Sequence, residues 1–198
     1  MNILLLGATG RTGKLIAQKL VAAGHAVTAA GRRDPQLPGV TFQRVDLADT
    51  PMLIQAARDM DGAVSALASA KGNPVCSGVA RALAGLDGLR FVTIGGAGVD
   101  APGDQKGLAD HLVGWVMRRL TPEMLADRQT ELGFLQQGRL RWTMLRPPRL
   151  TDKPAKGAVN VTFDRPASTA VSRADLAQAA VDALRDDAWI GRAPFVAG

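Results

Sequence analysis

Seven residues near the start of the chain have types and spacing that could do chemistry: Gly7-Ala8-Thr9-Gly10-Arg11-Thr12-Gly13. They stand between a continuous apolar run, residues 3–6, and a segment of helical periodicity, residues 14–23, whose Leu15, Ile16, Leu20 and Ala23 share one face. That context is what a dinucleotide-binding turn requires. Gly7 permits the turn, Gly10 lets a pyrophosphate approach the backbone, and Gly13 lets the helix pack close on the strand. The helix N-terminus adds unpaired amides and a partial positive charge, both suited to phosphate. Thr9, Arg11 and Thr12 belong to the same turn and are counted with it as ligand-binding residues. A turn of purely structural purpose is the competing reading.

The second strand ends in Gly31-Arg32-Arg33. A site for NAD would place Asp or Glu there to accept from the ribose 2′-hydroxyl, whereas Arg suits the 2′-phosphate of NADP. Arg11 can reach the same phosphate, and guanidinium groups match phosphate geometry with paired donors; a solvated surface arginine is the alternative reading of either. NADP(H) is therefore expected in preference to NAD(H). Asp46, ending a third strand on the same side, can accept from an adenine amino group; capping the following helix is its alternative role, one that Asp49 fits better.

These residues need elements to hold them, and strand-like and helix-like segments alternate throughout. Strands are expected over residues 3–6, 26–30, 40–45, 63–67, 89–94 and 140–145, with short ones over 158–163 and 195–197. Helices are expected over 14–23, 51–60, 75–86, 108–120, 122–137 and 172–184. The last has Ser172 as N-cap and Asp175 at its third position. Such alternation implies an α/β fold, a doubly wound parallel sheet of about six to seven strands with helices on both faces. The whole chain, 1–198, reads as a single domain, with a substrate-side region formed by residues 95–110 and 147–172. Ligands of such sheets bind beyond the carboxyl ends of the strands, where strand order reverses. His25 enters its strand from the opposite end and is read as structural.

Composition narrows the chemistry. The 198 residues carry 24 Lys and Arg against 18 Asp and Glu, a formal charge of +6, but the basic residues are scattered and aromatic residues are 4%. Basic tracts and stacking platforms are both missing, which excludes a dedicated nucleic-acid module. No stretch approaches the about eighteen apolar residues of a membrane span, and no targeting signal precedes the first strand, so a cytoplasmic location is expected. The single cysteine, Cys76, excludes an internal disulfide and has no histidine near it in sequence, so it is read as a packing residue. No metal-ligand spacing occurs. Tyrosine is absent, which excludes a tyrosyl acid, and only His25 and His111 remain for acid–base work near neutral pH.

The glycine turn, Asp46-Leu47, the segment 140–148 with its Leu145-Arg146-Pro147, and Val171-Ser172-Arg173-Ala174-Asp175-Leu176-Ala177 together resemble the atypical branch of the short-chain dehydrogenase/reductase superfamily. Within it the chain is most similar to the biliverdin reductase B (flavin reductase) and nitrogen-metabolite-repression-regulator group, over almost its whole length. The resemblance implies that Asp46 and Leu47 hold adenine and that Leu67, Ala68 and Ser69 line the ribose and phosphates. Gly95 follows the fifth strand beside the cofactor. Pro147 and Pro148 either wall the nicotinamide or simply end a strand.

The superfamily's Tyr-x-x-x-Lys pair is missing, and the serine and histidines of the biliverdin reductases correspond to Gly96, Arg128 and Arg149. A flavin or quinone can still accept hydride with solvent supplying the proton, leaving the protein to bind and orient. His111 is a candidate to approach the pocket, with a solvated role beside Asp110 as the alternative. Arg149 binds either an anionic substrate or a surface carboxylate. Two functions follow as expectations: an NADPH-dependent reductase of a planar acceptor such as a flavin or quinone, or an NADP(H)-sensing regulator that reports occupancy to a protein partner.

Overall fold

The computed structural model describes all residues except 71, 108–114 and 116–118. His111 and most of the helix expected over 108–120 lie outside the described residues. The central sheet has six parallel strands in the order β3-β2-β1-β4-β5-β6: β1 Asn2–Leu6, β2 Ala26–Gly31, β3 Val40–Arg44, β4 Gly62–Ser65, β5 Arg90–Ile94 and β6 Arg141–Leu145. Order reverses between β1 and β4, so the two strands leave a crevice at their carboxyl ends. Expected and observed strands differ by one or two residues at their ends.

Residues alternate across the sheet because successive side chains of a strand point to opposite faces. Ile3 and Leu5 face α1 (Arg11–Ala22) and the C-terminal helix α5 (Arg173–Ala183); Leu4 and Leu6 face α2 (Thr50–Ala57), α3 (Val75–Leu83) and α4 (Pro122–Gln137). All four are fully buried, as expected of a parallel sheet covered on both sides. Ser172 caps α5 by accepting from the Asp175 amide at 3.0 Å. No helix among the described residues is long and apolar enough to cross a membrane.

Short strands finish the molecule. β7 (Arg149–Thr151) runs parallel to β9 (Ala170–Ser172), and β10 (Phe195–Ala197) runs antiparallel to β8 (Asn160–Thr162). β7 and β9 are not expected from the sequence, which reads residues 147–172 as irregular apart from a strand over 158–163. His25 sits before β2, at the end of the sheet away from the crevice; it is 6% exposed and burial lowers its pKa.

Arg146, immediately after β6, ties the segment of Val99 and Asp104 to this frame. It is 1% exposed and pairs with both oxygens of Asp104 at 2.7 Å, while Nε donates to the Ala193 carbonyl at 2.6 Å and Nη1 to that of Val99 at 2.9 Å. Its guanidinium lies 3.8 Å from the centre of the Phe195 ring. Burial pushes the Asp104 carboxyl up, but hydrogen bonds from Arg146 and the Ala101 amide outweigh it and hold the pKa below the usual value. Asp104→Ala should cost about 3–5 kcal/mol in urea unfolding at pH 7, because it leaves Arg146 buried without its carboxylate. A depressed carboxylate stabilises the folded state above its ordinary pKa of about 4 and loses that effect as pH falls further, so the gap between variant and wild type should narrow in acid. Equal stability at pH 7 would contradict the assignment.

Candidate functional site

A cleft of about 730 Å³ opens at the carboxyl ends of β1, β2, β3 and β4. Its floor is the glycine turn. Gly7 has φ +83°, and a Cβ there would stand 2.8 Å from the Ala66 carbonyl. The tightest approach is at Gly13, where a Cβ would lie 2.1 Å from the Gly7 carbonyl oxygen. Backbone packs on backbone, which sets the start of α1 against the end of β1. Gly10 is the N-cap and supplies no side chain, and the first turn contains no acidic residue. The first intrahelical bond runs from the Lys14 amide to the Gly10 carbonyl, so the amides of residues 11–13 have no intrahelical acceptor. An anion fits this end of the helix.

The wall beyond β2 and β3 carries the charge. Gly31, Arg32, Arg33 and Pro35 line it with Phe42 and Asp46, and Arg81 of α3 lines it too. Among the described residues none of the three arginines has a hydrogen-bond or ion-pair partner. Asp34, the carboxylate nearest in sequence to the end of β2, does not line the cleft: it accepts the Gln36 amide at 2.8 Å. Asp49 caps α2, accepting from the Met52 amide at 3.0 Å, and Asp46 takes the Ala48 amide at 3.1 Å within the cleft lining.

The structure thus gathers Gly7, Thr9, Arg32, Asp46, Leu47, Leu67 and Ala68 around one cleft. Gly10, Thr12 and Gly13 belong to the turn and the start of α1, behind the lining rather than in it. Other expected residues are engaged elsewhere. Arg11, at the first position of α1, points to the surface and pairs with Asp152 at 3.0 Å, both side chains largely exposed. Ser69 donates its hydroxyl to Asp127, whose buried carboxylate needs donors, and so is turned from the cleft. Gly95 donates to the Leu145 carbonyl at 2.8 Å and Pro147 accepts from the Ala97 amide at 2.9 Å; both lie at strand ends beside the cleft rather than in its lining. Arg149 opens β7 and is exposed, away from the cleft.

Sequence reasoning missed Asn73 and Pro74 before α3, Val75, Ser77, Gly78 and Arg81 within it, and Thr130 and Phe134 of α4. Cys76 is fully buried, and burial pushes its thiol pKa up to about 12, so it is no nucleophile. Among the described residues no group of three or more His, Cys, Asp or Glu could hold a metal ion.

A family model described as NAD(P)H-binding matches residues 7–187. No curated protein matches the chain. Solved structures share its fold over the full length. A candidate NADH-flavin reductase of Streptococcus pneumoniae TIGR4 is 21% identical with a TM-score of 0.83, covering 100% of this chain and 99% of its own. ChuY, an anaerobillin reductase of Escherichia coli O157:H7, is 18% identical with a TM-score of 0.79, covering 100% and 97%. A short-chain dehydrogenase/reductase of Veillonella parvula DSM 2008 in complex with NADP is 21% identical with a TM-score of 0.79, covering 100% and 94%.

The Gly13 contact yields a direct test. Gly13→Ala forces a methyl group onto a backbone oxygen, and overpacking of this kind costs about 1–3 kcal/mol. Thermal unfolding should report that loss, and calorimetry should find dinucleotide affinity down by at least about tenfold as the α1 amides shift. A variant that melts and binds like wild type would mean that the turn has slack the contact denies.

Proposed function

The chain belongs to the NAD(P)H-binding family, and from that premise we propose that it is an NADPH-dependent reductase that passes hydride to a planar acceptor such as a flavin or quinone. The observation that carries the cofactor half of this reading is the arginine-lined end of the cleft. Arg32 follows β2, where the 2′-substituent of an adenosine ribose lies in such folds; Asp34, two residues on, is not in the lining, and the carboxylate that is, Asp46, follows β3. Arg33 and Arg81 reinforce the positive potential there, and an unpaired guanidinium gains from a phosphate without first giving up a partner. Asp46 suits the adenine amino group, and the α1 amides suit the pyrophosphate.

When bound, the nicotinamide supplies the hydride. The protein's part is to bind, orient and leave room. The segment after β5 begins Gly95-Gly96, and a Cβ at Gly96 would meet nothing within 4 Å, which is compatible with a flat acceptor on that side. With no tyrosine in the chain, a flavin or quinone is the favoured class of acceptor because solvent can supply its proton. Flavin, the acceptor named for the Streptococcus pneumoniae neighbour, is the first to test.

NADPH oxidation is to be followed by absorbance with FMN, FAD and menadione as acceptors; turnover with at least one is the expected outcome. Tight NADPH binding with no turnover would overturn the reductase reading in favour of an NADP(H)-sensing regulator with a protein partner. The cofactor half is tested apart. Charge-assisted hydrogen bonds to phosphate are worth about 1.5–3 kcal/mol, so NADPH should bind at least about tenfold more tightly than NADH. Arg32→Ala should remove a similar factor for NADPH and spare NADH. Equal affinities in the wild type, or equal losses in the variant, would contradict the role given to Arg32.

A further inference from the structure

One wall of the cleft comes from the described residues between β4 and α3, whose bonds to one another include the Asn73 amide to the Ala70 carbonyl and the Val75 amide to the Asn73 carbonyl, each at 2.9 Å. Leu67, Ala68, Asn73, Pro74 and Val75 line the cleft from this loop and the helix start, followed by Ser77 and Gly78. The cap position of α3 is Pro74, which offers no side-chain acceptor to the first amides of the helix. The acceptors come from α4. Asp127 takes the Cys76 amide on Oδ2 and the Ser77 amide on Oδ1, each at 3.0 Å, and also the hydroxyl of Ser69. The next residue, Arg128, donates Nη2 to the Leu67 carbonyl. Its Nη1 is held by Glu131 Oε2 at 2.6 Å, and Glu131 Oε1 is held in turn by Thr93 Oγ1 of β5 at 2.7 Å. Asp127, Arg128 and Glu131 are 5%, 7% and 0% exposed. One turn earlier on α4, Glu123 accepts the Gly72 amide at 2.6 Å.

We propose that Asp127 and Arg128 are the positioning residues of the dinucleotide cleft, two neighbours on α4 that grip the β4–α3 loop at both ends and so set the wall against which the cofactor packs. The proposal rests on the reading of this cleft as the dinucleotide site. Stability alone does not explain the arrangement. A buried ion pair costs desolvation, and replacing one with apolar residues of similar size is often neutral or stabilising. What an apolar pair could not supply is a donor for the Leu67 carbonyl or an acceptor for the Cys76 and Ser77 amides, and all of these belong to the cleft wall or its anchor. Burial pushes the Asp127 carboxyl up, yet hydrogen bonds from Ser69, Ser77 and the Cys76 amide outweigh it and hold the pKa below the usual range. Asp127 is therefore a charged acceptor at neutral pH, placed where the N-terminal end of α3 favours a negative charge.

The test separates positioning from folding. In Arg128→Met/Glu131→Leu both charges of the pair are removed together and Asp127 keeps its Ser69, Cys76 and Ser77 donors, but the Leu67 carbonyl loses its donor and Thr93 Oγ1 its acceptor. This variant should still unfold cooperatively, with its midpoint lowered, while NADPH affinity falls by about tenfold or more in calorimetric titration. With an accepted acceptor at saturation, KM for NADPH should rise and kcat hold. Arg128→Lys, which keeps one donor and the pair with Glu131, should recover part of the affinity. A folded double variant that binds NADPH like wild type would overturn the proposal and leave the cleft assignment intact; a wild-type protein that binds no NADPH would overturn both. Should the double variant fail to fold, Asp127→Asn decides. It keeps one acceptor oxygen, so faster hydrogen exchange at the Cys76 and Ser77 amides with lowered NADPH affinity is expected. Faster exchange with unchanged affinity would overturn the proposal.

Discussion

The contact between Gly13 and the Gly7 carbonyl, where a Cβ would have 2.1 Å of room, governs what the rest of the molecule can be. A helix that touches a strand through bare backbone starts as near to the end of that strand as chemistry allows. Its unpaired amides then stand at the reversal of strand order between β1 and β4. The sheet supplies the rest of the site by topology: whatever follows β2, β3 and β4 comes to the same edge. Arg32, Asp46 and Leu67 are distant in sequence and line one cleft for that reason.

Charge divides between two uses. Arg146 and Arg128 are buried and each is matched to a carboxylate and to backbone carbonyls, so they hold segments in place. Arg90 is buried too, gives Nη1 and Nη2 to the Arg141 and Ala183 carbonyls and Thr143, and has its pKa lowered to about 10 by burial. Arg32, Arg33 and Arg81 have no such partners among the described residues, and they share the cleft. A paired arginine has its electrostatic attraction satisfied within the fold, whereas an unpaired one beside a crevice keeps it for an anionic ligand. The formal charge of +6 thus informs less than where the unmatched cations stand.

What was legible in the sequence is what depends on neighbours in the chain. The glycine turn, the alternation of strands and helices, the Ser172 cap and the ends of β2 and β3 are set by local spacing, and the cleft residues drawn from strand ends were found that way. What was not legible depends on contacts between distant segments. Ser69 reads as a ligand residue until Asp127, 58 positions away, takes its hydroxyl. Arg128 stands at a position the family resemblance gives to a substrate-side histidine, and only the fold turns it inward to the Leu67 carbonyl. Arg11 belongs to the right turn, but its side chain meets Asp152 across 141 positions. The i, i+3 pair of Arg128 and Glu131 was the one local hint, a charged couple inside a helix that packs on both α3 and the sheet.

The most direct measurement is a crystal structure of the protein with NADPH. The account predicts the pyrophosphate over Gly7–Gly10 and the first amides of α1, adenine beside Asp46, and the 2′-phosphate within hydrogen-bond distance of the Arg32 guanidinium. A dinucleotide bound outside this cleft, or bound within it with the 2′-phosphate in solvent and Arg32 untouched, would contradict it.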